Sequence, residues 1–330
     1  MKFSKTAFAL PFKRVLFWLA LGPVISAITP GLEDPGAALE RLSHFPLQGV
    51  YAGFILLVVS VVLRTRPGAG WIFTLVVAGM IGNLVWLYPF LPTKDPVSTN
   101  AQALRIKIVQ MNVLTINRHF AAVNAWLLKT DADIIVLEEI DAAWISELKP
   151  LLRKYPYRVA RPRNDNFGIA VFARHPIAQS RVVSLPVIPV PAIFLKLNIN
   201  GRIIRLAAAH APPPLSNKAV ATRNEGLAML ALWRLDEPEV PAILASDLNI
   251  TPFNHRFRKF LKDSGLIDPR RGRGLTPTWP GLLPRQVQVP IDHILHDKNF
   301  RTISLETGPR IGGDHLPMIA VLELKNKSNR

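Results

Sequence analysis

Side chains that carry carboxylate, amide or imidazole groups follow several apolar segments of this sequence, each where the segment ends. They are Asn112, Glu139, His210, Asp247, Asn249, Asp292, Asp314 and His315. Carboxylate and amide oxygens are the ligands that hard divalent cations prefer, and imidazoles carry protons in hydrolases. The chain has no cysteine and no His-x-x-x-His pair, which disfavours a zinc site. The set therefore predicts a site of the magnesium or manganese type.

The segments that would position these groups have the character of buried strands. Short apolar or β-branched runs predict strands at 104–111, 134–137, 169–173, 194–199, 203–209, 242–248, 291–296 and 318–324. Helical spacing of apolar residues predicts helices at 120–129, 218–235 and 257–264. Many strands with a few helices between them favour a two-sheet sandwich with the helices outside.

Seven motifs in this order resemble those of the endonuclease/exonuclease/phosphatase superfamily, which is also called DNase I-like. The resemblance covers roughly residues 104–324, and the motifs are 110–113 (QMNV), 133–139 (DIIVLEE), 168–174 (GIAVFAR), 209–210 (AH), 246–249 (SDLN), 291–295 (IDHIL) and 313–317 (GDHLP). Two positions depart from the usual pattern: Glu138 stands where the family often has Gln, and Ser246 where it often has Gly. Neither departure removes a catalytic group.

The resemblance implies a four-layer α/β sandwich, in which two mixed sheets pack face to face between helices. It also implies hydrolysis of phosphate esters with Mg²⁺ or Mn²⁺. The implied metal residues are Asn112, Glu139 and Asp314.

The resemblance implies catalytic roles for five further residues. Asp247 would position or deprotonate the attacking water, and Asn249 would hold that water or the phosphate. His315 would contact the phosphate or act as the base, with its tautomer fixed by Asp292, and His210 would donate a hydrogen bond to the pentacoordinate phosphate. His293 follows Asp292 directly, but alternation along a strand places it on the other face and predicts a structural role.

A basic segment at 255–273 supplies candidate substrate contacts. Arg270, Arg271 and Arg273 would form an anion-binding rim, or else a solvated surface. Trp279, in the following Thr-Pro-Thr-Trp-Pro segment, would pack under the site or touch the substrate.

The first hundred residues contain three long runs without charged side chains. We predict transmembrane helices at about 15–32, 47–63 and 71–91, because about 20 apolar residues cross a bilayer. A cleaved signal peptide is the alternative for the first run, which glycine and proline interrupt. The predicted organisation is a membrane domain at 1–96, a linker at 97–103 and a catalytic domain at 104–330. A helical unit of this kind also resembles the membrane-bound bacterial branch that includes VanJ-type teicoplanin-resistance proteins.

Basic residues predict the orientation of these helices in a bacterial-type inner membrane. Lys2, Lys5, Lys13 and Arg14 precede the first run, and Arg64 and Arg66 lie between the second and third. Because basic flanks stay inside, the N-terminus is expected in the cytoplasm and the catalytic domain outside it.

The net charge is +17, most of it after residue 96, and suits an anionic partner. The expected partners are a phosphorylated substrate and the lipid bilayer, and nothing in the sequence indicates a protein partner. The leading function is a membrane-anchored phosphoesterase acting near the bilayer, on a lipid-linked phosphate or a phospholipid-type substrate. One alternative is a membrane-tethered nuclease, although aromatic residues do not alternate with basic ones as in a single-strand stacking track. Another is a catalytically dead anion-binding module.

Overall fold

The computed structural model describes residues 9–62, 70–93, 103–185 and 187–325 of the chain. The chain divides into two compact units, one made of residues 1–91 and 253–255, the other of residues 92–252 and 256–330. Most of the predicted linker, 97–103, lies outside the described residues.

The described part of the first unit is helical. It contains α1 (Ala9–Ile28), α2 (Ala37–Leu42), α3 (Pro46–Val62) and α4 (Gly70–Leu87). Helices α1, α3 and α4 pack against one another. Within the described residues, the helix Gly70–Phe90 is long and apolar enough to cross a membrane, whereas the apolar helices Val15–Gly31 and Pro46–Ser60 are shorter. The set of three membrane spans therefore stays a prediction.

Small residues allow these helices to approach closely. A Cβ atom added at Gly79 would lie 2.9 Å from the backbone carbonyl carbon of Pro23. Asn83 is fully buried beside this contact, and its Nδ2 donates to Pro23 O and Gly79 O at 2.8 Å each. The hydroxyl of Ser26 donates to Asn83 Oδ1 at 3.2 Å. Close backbone approach with polar groups paired inside is typical of helices packed within membranes.

The second unit contains eleven strands and four helices among the described residues. The strands are β1 (Arg105–Asn112), β2 (Ile134–Glu138), β3 (Tyr157–Arg161), β4 (Ile169–Ala173), β5 (Ile177–Ser184), β6 (Pro191–Ile199), β7 (Arg202–His210), β8 (Ala242–Asp247), β9 (Asp292–His296), β10 (Phe300–Thr307) and β11 (Met318–Leu324). The helices are α5 (Phe120–Thr130), α6 (Ala142–Glu147), α7 (Asn217–Asp236) and α8 (His255–Ser264).

The strands form two mixed sheets. Sheet 1 has the order β10-β11-β1-β2-β4-β3, and sheet 2 has the order β5-β6-β7-β8-β9. The pairs β1/β2 and β7/β8 are parallel, and the other neighbours are antiparallel. All eight predicted strands and all three predicted helices of this unit are present. The strands that the sequence missed, β3, β5 and β10, each lie at a sheet edge.

Alternation along the strands divides the core into three layers. Residues such as Ile108, Val136 and Leu206 form an apolar layer between the sheets. On the outer face of sheet 1, Leu127 of α5 and Trp144 of α6 are buried with Met111 and Leu137 of the strands. On the outer face of sheet 2, Leu230 of α7 and Phe257 of α8 complete a third cluster. The arrangement is the predicted sandwich of two sheets flanked by helices.

Candidate active site

Three predicted site residues lie in one row across sheet 2. Backbone pairing places His210 of β7 opposite Asp247 of β8, and Asp247 opposite Asp292 of β9. Alternation puts them on the same face as Ala208, Ala245 and Ile294, which belong to the layer between the sheets. All three are buried. The row therefore closes one end of the inter-sheet core with polar groups.

Sheet 1 supplies the opposite wall of the site. Asn112 ends β1 and is paired with Glu138, the last residue of β2. The amide of Asn112 donates to Glu139 Oε1 at 2.9 Å and to Asp247 Oδ2 at 3.1 Å, so it joins the two sheets. Its Oδ1 accepts from Leu114 N at 3.0 Å. In this arrangement Asn112 is a hydrogen-bond donor, and its role as a direct metal ligand stays a prediction.

A local change in the backbone directs Glu139 into the site. Glu139 has a φ of 59°, in the left-handed region that non-glycine residues seldom adopt. This conformation ends the alternation of β2, which would otherwise place Glu139 on the helix-covered face with Leu137. Its Oε2 accepts from Thr115 N at 3.2 Å. Backbone strain of this kind is concentrated at functional sites.

The segment before β11 carries the site's most strongly held imidazole. His315 Nδ1 lies 2.8 Å from Asp292 Oδ2, and this contact directs the ring's Nε2 towards Asp247. His315 Nε2 is 3.7 Å from Asp247 Oδ2, and His210 Nε2 is 3.5 Å from the same oxygen. The two imidazoles therefore converge on one carboxylate oxygen, each at a distance longer than a normal hydrogen bond. One ligand atom each from Asp247, Asp292 and His315 lies within 4.8 Å of the others.

Asn249 lies beside His210. It has a φ of 49°, and its backbone N donates to Asp247 Oδ1 at 3.0 Å. Its Nδ2 donates to Ala211 O at 2.9 Å and lies 3.4 Å from His210 Nε2. The structure thus brings Asn249 and His210 together at the side of the site where the sequence analysis expects water or phosphate.

Crowded carboxylates govern the electrostatics of the site. Burial, together with the charge of Asp292, raises the pKa of Asp247 above its ordinary value. Burial would by itself lower the pKa of His315, but Asp292 and Asp247 outweigh it and raise that pKa. Burial lowers the pKa of His210, which keeps this ring neutral. Burial would by itself raise the pKa of Asp292, but His315 lowers it, so the site pairs a cationic imidazole with the ionised Asp292 and with Asp247, which resists ionisation unless positive charge is nearby.

The chemistry of the donor set fits a hard divalent cation. Glu139 and Asp247 share the amide of Asn112, which places two carboxylates together as such a cation prefers. Within the described residues, the buried Asp314 Oδ1 has no hydrogen-bond partner, while Asp314 Oδ2 accepts from Trp279 Nε1 at 3.1 Å. An unpartnered buried carboxylate oxygen is costly unless something binds it.

One prediction for the basic rim is wrong. Arg270 is fully buried, and its Nη1 lies 3.3 Å from Asp268 Oδ1 and 3.0 Å from His293 Nδ1. The guanidinium group of Arg270 is therefore a structural group of the protein interior and cannot contact a substrate. Arg273 is half-buried, with Nη2 on Thr302 O at 3.2 Å, whereas Arg271 is exposed. Trp279 contacts Asp314 directly, at the edge of the site.

His293 lies on the face that alternation predicts. It is fully buried against the ring of Phe257, with centroids 4.4 Å apart, and its Nε2 is 2.8 Å from Ile250 O. The sequence analysis missed Gln110, whose Nε2 donates to Glu138 Oε2 at 3.0 Å and to Asp292 Oδ1 at 2.7 Å. The available signal was its place two residues before Asn112, which puts both on one face of β1.

Comparisons with known proteins agree with this fold. The profile of the endonuclease/exonuclease/phosphatase family matches residues 109–315. An endonuclease/exonuclease/phosphatase from Bacteroides vulgatus is 18% identical with a TM-score of 0.57, covering 67% of this chain and 100% of its own. The human Nocturnin catalytic domain with bound sulfate is 18% identical with a TM-score of 0.56, covering 68% of this chain and 96% of its own.

Sphingomyelinase C from Streptomyces griseocarneus has the same fold at greater distance. It is 17% identical with a TM-score of 0.51, and the match covers 67% of this chain and all (100%) of that one. Among curated proteins, none matches the sequence significantly. At these identities the likenesses show the fold alone.

Proposed function

The chain belongs to the endonuclease/exonuclease/phosphatase family, whose hydrolases act on phosphoester bonds, and from that premise we propose that it is a membrane-anchored phosphoesterase dependent on Mg²⁺ or Mn²⁺. The observation that carries the proposal is the convergence of Asp247, His210 and His315 on one point, with Asn112 holding Asp247 beside Glu139.

The side chains divide the work of hydrolysis between them. Asp247 Oδ2 lies at the centre, where it can hold a water molecule and accept its proton as the water attacks phosphorus. His315, fixed at Nδ1 by Asp292, presents a positively charged Nε2–H to a phosphate oxygen. Asn249 and His210 contact the phosphate from the side of β7. These groups favour the transition state because they are already held in place.

Glu139 and Asp314 are the residues that would hold the cation, with Asn112 beside them. When bound, a divalent cation supplies positive charge to a non-bridging phosphate oxygen and to the leaving oxygen. The unpartnered Asp314 Oδ1 supports this assignment.

The metal requirement gives the primary test. Hydrolysis by the purified full-length protein should disappear in EDTA and return with magnesium or manganese. An isoprenyl pyrophosphate, a phospholipid, an inositol phosphate and plasmid DNA should be tested in parallel. Hydrolysis that survives exhaustive chelation would contradict the metal mechanism, and binding of these compounds without turnover would favour the anion-binding module.

We place the enzyme in a bacterial-type inner membrane, with its catalytic unit outside the cytoplasm. The apolar helix Gly70–Phe90 supports an anchor, as do exposed apolar side chains such as Phe54 and Val85 on the helical unit. A reporter active only outside the cytoplasm should be active when fused after Arg330 and inactive when fused at Arg66. The reverse pattern would contradict this orientation.

A lipid-linked phosphate or a phospholipid-type compound is the substrate class that an anchored enzyme reaches most readily. The membrane-bound branch that includes the VanJ-type proteins is the proposed place of this chain within the family. A membrane-tethered nuclease is the second candidate, which the net charge of +17 supports. Cleavage of plasmid DNA in the panel would favour it.

A further inference from the structure

An apolar segment lies beside the site and the mechanism does not use it. Residues 276–291 (TPTWPGLLPRQVQVPI) contain one charged residue, Arg285, and no acid. Leu282, Leu283 and Val287 are 61%, 49% and 43% exposed, respectively. Exposed apolar side chains that follow one another in a single loop mark an interaction surface more often than scattered ones do.

This segment is joined directly to the candidate metal residue Asp314. Trp279 Nε1 donates to Asp314 Oδ2 at 3.1 Å, and Gly281 N donates to Asp314 O at 2.5 Å. Leu316 N donates to Thr278 O at 2.9 Å, on the other side of the catalytic His315. The exposed leucines therefore begin one residue after a backbone contact with the catalytic segment.

The loop itself is held by its own hydrogen bonds. Val289 N donates to Trp279 O at 2.6 Å, Leu283 N donates to Pro280 O at 3.0 Å, and Gln288 Nε2 donates to Leu283 O at 2.6 Å. Arg285 Nη2 donates to Thr307 Oγ1 at 2.6 Å, so the only cation of the segment is held by a strand of sheet 1. Leu282 and Leu283 are thus exposed to solvent on a loop that is held in place by hydrogen bonds.

We propose that Leu282 and Leu283, with Trp279, form a subsite for the hydrophobic group esterified to the substrate phosphate. The inference rests on the proposed phosphoesterase function and names the part of the substrate that lies beyond the phosphate. A phosphate held at Asp247 and Asp314 must direct its ester group towards a neighbouring surface. This surface is continuous with Asp314, carries no acid and offers alkyl side chains, which matches an alkyl or isoprenyl group.

Binding of non-hydrolysable phosphonates tests the subsite without requiring turnover. The full-length protein in lipid nanodiscs is titrated with methylphosphonate and hexylphosphonate in magnesium, followed by calorimetry with empty nanodiscs as the blank. Hexylphosphonate should bind about tenfold more tightly, because its methylenes leave water for apolar contact. The variant L282S/L283S should bind methylphosphonate normally and lose most of the hexyl preference.

The matched control is L232S/L235S, which changes two exposed leucines of α7, 69% and 51% exposed, outside the site. It should retain the full hexyl preference. Equal affinity for the two phosphonates in the wild-type protein would overturn the inference, and so would equal behaviour of the two double variants. If L282S/L283S binds hexylphosphonate normally but loses turnover only on vesicle-embedded substrate, the loop contacts a bilayer and the subsite is wrong. A hexyl preference without turnover of any phosphoester supports the subsite and contradicts the proposed function.

Discussion

Each unit of the molecule buries a polar cluster, and the two clusters are built in opposite ways. In the helical unit, the neutral amide of Asn83 has partners at both ends, on Pro23 O, Gly79 O and Ser26. In the catalytic unit, carboxylates crowd one another. Burial and the charge of Asp292 raise the pKa of Asp247, and Asp314 Oδ1 has no partner within the described residues.

The two clusters illustrate two roles of buried polar groups: those in the helical unit stabilise the fold, and those in the catalytic unit are arranged to bind a ligand. A paired neutral amide joins helices at little electrostatic cost, because no charge is removed from water. Neighbouring buried acids oppose folding, so they persist where a bound ligand gains from them. The contrast predicts that substitutions in the catalytic cluster cost activity, while substitutions in paired clusters cost stability.

The largest expected effect is on turnover. Asp247→Ala and His315→Ala should each lower turnover by about two to four powers of ten, because both groups act mainly in the transition state. The melting temperature of Asp247→Ala should not fall in EDTA, since this substitution removes a buried carboxylate from beside Asp292. His315→Ala should melt lower, because Asp292 loses its buried partner. Steady-state kinetics and thermal melting measure the two quantities.

His175→Ala is the matched imidazole control. His175 is half-buried, with Nε2 3.7 Å from Asp133 Oδ1, and has no contact with the site. Its loss should leave turnover unchanged. If Asp247→Ala and His315→Ala also kept full activity, the site would lie elsewhere.

The second effect concerns stability in the catalytic unit. His293→Ala should lower the free energy of unfolding by about 2–4 kcal/mol, because Arg270 and Ile250 O lose buried partners and a cavity opens beside Phe257. Turnover per folded molecule should change little. Chemical denaturation gives the free energy, and active-site titration gives the folded fraction. Loss of turnover without loss of stability would reverse the roles of His293 and His315.

The third effect is a dependence of stability on pH. Burial lowers the pKa of His296 from 6.5 to about 4, so the folded unit binds a proton less readily than the unfolded chain. The contribution of neutral His296 to the free energy of unfolding is fully present above pH 6.5 and is lost as the pH falls towards 4. Between about pH 7 and pH 5 the loss should be about 2 kcal/mol. In His296→Gln the free energy of unfolding, measured by chemical denaturation at several pH values, should depend less steeply on pH. An unchanged slope would mean that other groups cause the pH dependence.

The smallest effect is expected in the helical unit. Asn83→Ala should cost about 1 kcal/mol, the size of a polar contact between helices in a membrane. Turnover on a water-soluble phosphoester should be unchanged. Leu84→Ala, at a half-exposed neighbouring position, is the control. Detergent unfolding followed by circular dichroism measures the difference, and a large loss of turnover in Asn83→Ala alone would contradict the separation of the two clusters.

The sequence predicted the strands that are buried on both faces, including the edge strand β9, and missed the edge strands β3, β5 and β10. Central strands such as β2 (IIVLE) are apolar throughout, whereas β5 (IAQSRVVS) carries polar side chains towards solvent. An edge strand gains part of its stability by pairing with the neighbouring strand, and this pairing cannot be recognised from the residues of the edge strand alone.

The order of the motifs predicted the residues of the candidate site. The hydrogen bonds that join those residues were not predicted. The hydrogen bond from Gln110 to Asp292 spans 182 positions of the chain, and no local pattern contains it. The burial of Arg270 was missed for a related reason, because its buried partners include His293 and the carbonyl of Asp292, which lie 23 and 22 positions further along the chain.

The strand order of sheet 1 has a consequence for how the enzyme is made. Strand β1, the first of the catalytic unit, pairs with β2 on one side and with β11, the last, on the other. During synthesis on the ribosome, β1 cannot pair with β11 until almost the whole catalytic unit has been made. His315 lies three residues before β11, so it arrives with the same final segment. A chain that stops before Asp314 therefore lacks both His315 and the second neighbour of β1, so the site can form only after residues 314–324 have been made.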